Sequence, residues 1–307
     1  MRNGRPSSAR SWSNMDHDIL VRIFMTLNVM DVISSVSLVC SSWHTACCDP
    51  ILWKTLDLST LKTDAIYIPP EPYTWADEES SEGLLKIMKS ALNLSRGSVT
   101  CLVFNYLISI SDAHLVSAAE RTPNLKRLIL PATWNEFTEK GVFEAFKMWN
   151  GLESLTVPYL SAPFDVMEAI GTFCKNLTEL KLLCFFNLDF AIALSKNAPK
   201  LKVLSLRGTM VHNKALDYIL DNFEHLEVLN ISHCLFKHVN DSAVCFTLYR
   251  DLDRSIGKKG SRLKEFLTCQ KDSCILCKRK PYDELSINWC EFQQRRWKDD
   301  EVSSLEH

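Results

Sequence analysis

The sequence predicts an α/β protein in which a short N-terminal helical module precedes a curved solenoid of strand–helix repeats. The first observation is a leucine pattern that recurs six times at nearly even spacing between residues 99 and 231. The second is that, after each of the first five matches, apolar residues recur at the spacing of an α-helix. The third is that residues 12–58 are dense in apolar side chains at helical spacing and precede the main series. Stacked repeats of this kind place a parallel sheet on the concave side and helices outside.

Composition indicates a folded chain without a strong electrostatic preference. Its 307 residues are 46% hydrophobic, which is enough for a sizeable core. The net charge of −2 favours neither nucleic acid nor a membrane as a partner. No apolar run is long enough to span a bilayer, and no secretory signal is recognisable. Twelve cysteines are spread along the whole length, so we expect reduced thiols and residence in the cytoplasm, the nucleus or both.

Residues 1–11 are expected to be a disordered leader, and the helical module follows over residues 12–58. Its first helix is predicted by an apolar stripe that comprises Ile19, Leu20, Ile23, Phe24 and Leu27. Asn28 can cap a second helix, and a third ends at Asp49-Pro50. Three short helices are too few to bury all this apolar surface, so either the repeat body or a partner must cover it.

A linker is predicted over residues 59–97. The Pro-rich stretch at residues 69–72 breaks regular structure, and an acidic patch at residues 77–82 is interpreted as a solvated loop. An amphipathic helix is predicted from Gly83 to Leu94.

The repeat pattern is Leu-x-x-Leu-x-Leu, with any aliphatic residue or Phe allowed at each position. The six matches begin at Val99, Leu125, Leu152, Leu177, Leu201 and Leu226. Their spacing of 24–27 residues is the period of leucine-rich repeats. Weaker matches at Trp53 and Leu263 are candidates for the first and last repeats, and the repeat body is assigned to residues 98–268.

Side chains at or next to the strands that point away from the core are predicted to line the concave face and to bind a target. The candidates are Asn105, Arg127, Ile129, Thr156, Glu179, Lys181, Val203, Ser205, Arg207, Val228 and Asn230. The set is mixed in character and contains only three basic residues. A protein or peptide therefore suits this face better than a polyanion.

The helical module resembles the F-box. The matching residues are Trp12, Met15, Asp18-Ile19-Leu20, Ile23-Phe24, Leu27, Asp31-Val32, Leu38-Val39-Cys40, Trp43 and Asp49-Pro50-Ile51-Leu52-Trp53. Val-Cys-x-x-Trp followed by Asp-Pro-x-Leu-Trp is the most specific part. One departure is that Asn14-Met15 stands where an F-box usually opens with Leu-Pro. With the repeats, whose entry and exit sequences are similar to those of cysteine-containing repeats, residues 12–268 resemble plant F-box/leucine-rich-repeat proteins.

This resemblance implies a substrate-recognition subunit of an SCF-type ubiquitin ligase. In the family, the F-box binds a Skp-type adaptor that links to a cullin–RING ligase, and the repeats hold a target for ubiquitination and proteasomal degradation. The resemblance assigns adaptor binding, or its support, to Ile19, Leu20, Ile23, Phe24, Leu27, Val39, Trp43 and Trp53. Two alternatives remain open, namely a repeat scaffold without ligase function and a small-ligand sensor.

Residues 269–307 are interpreted as a cap or tail containing cysteine and tryptophan. Cys269, Cys274, Cys277 and Cys290 form a weak zinc candidate, because only one Cys-x2-Cys pair is present, and free thiols are the alternative. No phosphate loop, G-x-S-x-G or H-E-x-x-H motif occurs. We therefore expect no catalysis by the chain itself and no cofactor.

Overall fold

A computed structural model describes residues 12–59, 61, 78–105, 108–131, 137–157, 163–237, 248–249, 252–269, 274 and 301–305. The leader and most of the linker, with its Pro-rich stretch, lie outside these residues. Within the described ranges, no helix is long and apolar enough to cross a lipid bilayer.

The N-terminal module contains three short helices: α1 (His17–Phe24), α2 (Val29–Ser34) and α3 (Ser41–Cys47). Side-chain caps fix where the first two of these helices begin. Asp16 accepts a hydrogen bond from the Asp18 amide at the start of α1. Asn28 accepts one from the Asp31 amide at the start of α2, which confirms the cap predicted from the sequence. A 3-10 turn at Pro50–Leu52 then leads into the first strand.

Eight parallel strands form the concave sheet, and all of them pair with their neighbours in the repeat series. They are β1 (Thr55–Asp57), β2 (Cys101–Val103), β3 (Arg127–Ile129), β4 (Ser154–Val157), β5 (Glu179–Leu182), β6 (Val203–Ser205), β8 (Val228–Asn230) and β11 (Glu265–Leu267). The weak repeat matches at Trp53 and Leu263 thus supply the two edge strands, β1 and β11. The predicted α/β fold with a parallel repeat sheet is confirmed.

The outer layer consists of helices that connect successive strands. They are α4 (Glu78–Ser95), α5 (Asp112–Arg121), α6 (Glu139–Met148), α7 (Pro163–Phe173), α8 (Leu188–Asn197), α9 (Asn213–Asn222) and α10 (Arg254–Gly260). Neighbouring helices from α4 to α10 pack against one another in sequence order.

The start of α4 corrects one prediction. The acidic stretch expected to be a solvated loop lies, from Glu78 onward, in the first turns of this helix. Acidic side chains are favourable there because the helix dipole places positive charge at the N-terminus. Ser81 also ties this turn to the repeat body by donating a hydrogen bond to the Ser109 carbonyl at 2.9 Å.

The second leucine of each repeat forms one continuous row through the sheet. In register, the row is Leu56, Leu102, Leu128, Leu155, Leu180, Leu204, Leu229 and Phe266. The seven leucines are fully buried, and Phe266 is partly buried at the edge. The same hydrophobic core extends into the N-terminal module, where it includes Leu20, Phe24 and Trp53.

A second, smaller sheet lies beyond the C-terminal ends of the later strands. It comprises β7 (Met210–His212), β9 (Leu235–Lys237) and β10 (Leu248–Tyr249). Strands β7 and β9 are parallel, and β10 is antiparallel to β9. The repeat pattern did not predict this sheet, because its strands lie in the segments that vary between repeats.

Replacing Leu180 with Ala tests the leucine row at its centre. Removal of a fully buried side chain with neighbours on both strands should lower the free energy of unfolding by about 2–5 kcal/mol. Chemical denaturation measures this change. Lys202→Ala, an exposed position at the entrance to β6, serves as the control and should change stability by less than about 0.5 kcal/mol. Equal effects of the two substitutions would contradict the central role of the row.

Candidate functional site

Exposed apolar side chains are concentrated in the N-terminal module. Ten large hydrophobic residues are exposed in the described part of the chain, and eight of them lie between residues 12 and 51. These eight form a candidate binding surface, called the apolar docking face below: Trp12, Ile19, Ile23, Met25, Leu27, Leu38, Val39 and Ile51. The other two, Phe185 and Met210, lie in the repeat body. Such a concentration of exposed apolar surface marks a site that another molecule covers.

The apolar stripe of helix α1 lies partly at the protein surface and partly in the hydrophobic core. Ile19 and Ile23, one turn apart, are 51% and 43% exposed. Leu20 and Phe24 are only 1% and 2% exposed, and the Phe24 ring lies 5.4 Å from that of Trp43. One side of α1 therefore belongs to the core, and the other side is available to a partner.

The eight residues assigned to adaptor binding separate in the same way. Ile19, Ile23, Leu27 and Val39 are exposed, whereas Leu20, Phe24 and Trp53 are buried and Trp43 is half-buried. The buried group can only support the surface that the exposed group presents. Four further exposed residues were not assigned to the site from the sequence, namely Trp12, Met25, Leu38 and Ile51. Three of them lie within the matched motif, but Met25 carries no motif signal.

The Asp-Pro-x-Leu-Trp motif fixes the docking face from within the N-terminal module. Asp49 accepts a hydrogen bond from the Ile51 amide at 3.0 Å and caps the 3-10 turn that exposes Ile51. Its second oxygen lies 3.0 Å from His17 Nε2, at the start of α1. The Ile51 amide first and His17 second lower the pKa of the Asp49 carboxyl group. Trp53 is buried and donates its indole N–H to the Cys47 carbonyl at 2.6 Å.

The segment that departs from the usual F-box opening is tied to the same module. The indole of Trp43 donates to the Trp12 carbonyl at 3.1 Å, and the Ser42 hydroxyl donates to the Ser13 carbonyl at 2.9 Å. Met15 is half-buried and packs against the core. Asn14-Met15 is therefore accommodated within the folded module.

The concave face of the sheet presents two rows of side chains that point away from the leucine row. One row contains Arg127, Ser154, Glu179, Val203 and Val228 in register. The other contains Val103, Ile129, Thr156, Lys181, Ser205 and Asn230. In the first row, Arg127 Nη2 lies 3.3 Å from Glu179 Oε2, so an ion pair crosses above β4. Asn105 and Arg207, which follow β2 and β6, are both buried.

The C-terminal segment 301–305 covers part of the second row. Lys181 Nζ lies 3.2 Å from Glu301 Oε2 and 3.4 Å from the Leu305 carbonyl oxygen. Ser205 Oγ and Asn230 Nδ2 each donate to the Glu301 carboxylate at 2.8 Å. The Lys181 and Glu301 side chains are 1% and 0% exposed. A buried charge pair of this kind requires its full set of partners, because loss of one charge leaves the other uncompensated.

This arrangement corrects the expectation that the concave side chains are open to solvent. Arg127, Glu179, Val203 and Val228 remain partly accessible. The seven other candidates are buried: Asn105, Ile129, Thr156, Lys181, Ser205, Arg207 and Asn230. For three of these, Lys181, Ser205 and Asn230, the physical reason is segment 301–305, which folds back onto the sheet and places the Glu301 carboxylate against them.

The weak zinc candidate is only partly within the described residues. Cys277 and Cys290 lie outside them, as do most of residues 269–307, the segment interpreted from the sequence as a cap or tail. Cys269 and Cys274 are described, and their sulfur atoms lie 3.6 Å apart. The structure adds His233, a residue that the cysteine spacing did not indicate.

The fold and the docking face together define a leucine-rich-repeat protein with an N-terminal helical interaction module. The F-box-like family model matches residues 17–59, which contain α1 to α3 and the capped turn. F-box/LRR-repeat protein At3g48880 of Arabidopsis thaliana is 42% identical over 96% of this chain and 96% of its own length. F-box protein SKIP19 of Arabidopsis thaliana is 27% identical over 73% of this chain and 70% of its own length.

The chain belongs to the plant F-box/LRR-repeat proteins, as its identity to a full-length relative shows. Membership supports, in general terms, the role of an F-box adaptor in SCF-type complexes and a Skp-type adaptor as the partner of the N-terminal module. Proteins of this family are generally adaptors without catalysis of their own.

Replacing Asp49 with Ala tests the cap that holds the docking face. Loss of the bonds to the Ile51 amide and His17 should lower the free energy of unfolding by about 1 kcal/mol at neutral pH. The folded-state pKa of Asp49 is lowered, so its contribution is present above the unfolded-state pKa and is lost as pH falls through the folded-state pKa. Denaturation curves of both proteins should therefore converge in acid. A stability difference that persists at the lowest pH would contradict this assignment.

Proposed function

We propose that this protein is a substrate-recognition subunit of an SCF-type ubiquitin ligase. The F-box binds a Skp-type adaptor, and the repeats bind a target protein, which is then ubiquitinated and degraded by the proteasome. The observation that carries the proposal is the apolar docking face, where eight of the ten exposed large hydrophobic residues in the described chain lie. Membership of the F-box/LRR-repeat proteins supports the same assignment.

The exposed residues of α1 are the centre of the proposed adaptor contact. Ile19 and Ile23 lie one helical turn apart and present a continuous apolar edge, a form suited to packing against helices of a partner. Leu27 and Val39 extend the exposed set beyond α1. The buried Leu20, Phe24 and Trp53 act indirectly, by fixing the position of these side chains against the repeat core.

The proposed role of the repeats is to hold the target close to the enzyme that transfers ubiquitin. Proximity of this kind raises the effective concentration of the target without any chemistry by the adaptor. Arg127, Glu179, Val203 and Val228 form the accessible part of the concave candidate surface. Their mixture of charge and aliphatic surface favours a protein or peptide target.

Co-expression with a Skp-type adaptor tests the proposal. The wild-type chain should form a stable one-to-one complex, measured by size-exclusion chromatography with light scattering and by titration calorimetry. Ile19→Asp/Ile23→Asp should weaken binding at least about 100-fold, because burying an unpaired carboxylate at an apolar interface costs several kcal/mol. Both positions are exposed in the free chain, so the variant should still fold.

Phe185→Asp/Met210→Asp is the matched control, since it places two carboxylates on exposed apolar positions of the repeat body. It should bind the adaptor as the wild type does. If a well-folded wild-type chain binds no Skp-type adaptor, the ligase function is wrong and a repeat scaffold replaces it.

A further inference from the structure

A cluster of metal-binding side chains lies where the last two strands of the main sheet end. Strands β8 and β11 are parallel neighbours, so the residues that follow them emerge at the same edge of the sheet. His233 follows β8 in a left-handed backbone conformation, with φ of 61°. Cys269 follows β11. The ligand atoms of His233, Cys269 and Cys274 all lie within 4.8 Å of one another. The fold thus joins two distant parts of the sequence at this edge.

The separations between the ligand atoms fit a tetrahedral ion. The two sulfur atoms lie 3.6 Å apart, and Cys274 Sγ lies 3.5 Å from His233 Nδ1. A tetrahedral zinc site has separations of roughly 3.8 Å between sulfurs and roughly 3.5 Å between sulfur and nitrogen. Cys269 Sγ lies 2.8 Å from Nδ1 and would need to move by less than about 1 Å. Nδ1 faces both sulfurs, whereas Nε2 is 3.7 Å from Cys269.

The surroundings favour these three residues over the neighbouring cysteine. Cys234 follows His233 directly, but it is buried and donates its thiol to the Leu206 carbonyl at 2.9 Å. His233, Cys269 and Cys274 are partly buried, so an ion can reach them and is shielded once it is bound. Two thiolates and an imidazole form a soft donor set, which selects zinc over magnesium or calcium.

We propose that His233, Cys269 and Cys274 hold a structural zinc ion at the C-terminal end of the solenoid. The ion joins the turn after β8 to the chain beyond β11, and a further donor from the protein or from water completes the tetrahedron. Among the described residues β11 is the last strand of the sheet, so a metal link at this point stabilises the end of the stack.

Metal analysis of the full-length chain tests the site. The protein purified with zinc and a reductant should contain one zinc ion per chain by mass spectrometry. Cys269→Ser/Cys274→Ser should bind zinc at least 100-fold more weakly, and Cys101→Ser, a partly buried cysteine in β2, should bind it normally. Equal zinc content in the wild type and the double variant would overturn the proposal.

A second variant separates loss of zinc from loss of folding. His233→Asn removes the imidazole but keeps a residue that tolerates the left-handed conformation at this turn. Addition of a chelator should lower the melting temperature of the wild type and leave that of His233→Asn unchanged. A wild type that is insensitive to the chelator, or a disulfide between Cys269 and Cys274 in freshly purified protein, would count against zinc.

The covered strip of the concave face supports a second, independent inference. Lys181, Ser205 and Asn230 lie on three adjacent strands and converge on one carboxylate. Glu301 supplies that carboxylate, and its neighbour Val302 and the nearby Leu305 are also buried. The strip is therefore a formed carboxylate site next to places for two apolar side chains, and the chain itself occupies it.

We infer that this strip recognises an acidic–apolar peptide of the target and that segment 301–305 competes for it. The inference rests on the proposed function and specifies the chemistry of its target. A target segment with a carboxylate at the position of Glu301 and apolar residues at those of Val302 and Leu305 would displace the internal segment. Binding of the target is then opposed by an intramolecular contact.

A labelled peptide with the sequence of residues 299–307 tests this competition in the full-length chain. It should bind Glu301→Gln at least tenfold more tightly than the wild type, because the substitution weakens the internal competitor. Adding Lys181→Met to that variant should abolish binding of the peptide. Replacing the residue equivalent to Glu301 with Gln in the peptide should abolish it as well. Fluorescence anisotropy measures each affinity, and thermal melting verifies that each variant is folded.

Failure of this inference is distinguishable from failure of the ligase function. A folded Glu301→Gln chain that binds the adaptor but not the peptide would show that the strip is only a structural contact. Equal affinity of the wild type and Glu301→Gln would likewise overturn the competition. Neither result would alter the assignment of the docking face.

Discussion

Stacking of leucine side chains across eight parallel strands is the interaction on which the whole structure depends. No single repeat can bury its own apolar face, so each strand relies on the leucine of the next. At the N-terminal end, Leu56 continues the row and Trp53 connects it to the helices of the F-box. Contact between α2 and α4 joins the two parts further. Both proposed functional surfaces are therefore built on one continuous core.

The two surfaces have opposite physical characters. The docking face is apolar and exposed, so a partner gains free energy simply by removing its side chains from water. The covered strip is polar and buried, and its Lys181 requires a negatively charged partner at a defined place. Burial of the apolar docking face would therefore contribute mainly to the affinity for a partner. Selectivity is the natural contribution of the second surface, because a segment without the carboxylate leaves a buried charge uncompensated.

Local sequence patterns were sufficient to predict the repeats but not the contacts between distant segments. The strand register follows from the leucine spacing, since alternation along each strand decides which side chains reach the core. In α1, however, Ile19, Leu20, Ile23 and Phe24 are all apolar, and only tertiary packing separates the exposed pair from the buried pair. Glu301 has no local signal that directs it to Lys181. The cysteine spacing indicated two members of the proposed zinc site, whereas His233 is contributed by an earlier repeat.

Because the core is shared, the solenoid also sets a fixed distance between the F-box and the covered strip. Adjacent strands lie about 4.8 Å apart, so the strip at β5 is held roughly 19 Å along the sheet from β1, where the F-box ends. An F-box joined through a flexible tether would let a captured protein sample many orientations, whereas under the proposed function the number of repeats fixes how far the target lies from the F-box. Which lysines of a target come within range of the transferring enzyme would thus depend on how many repeats separate the two surfaces.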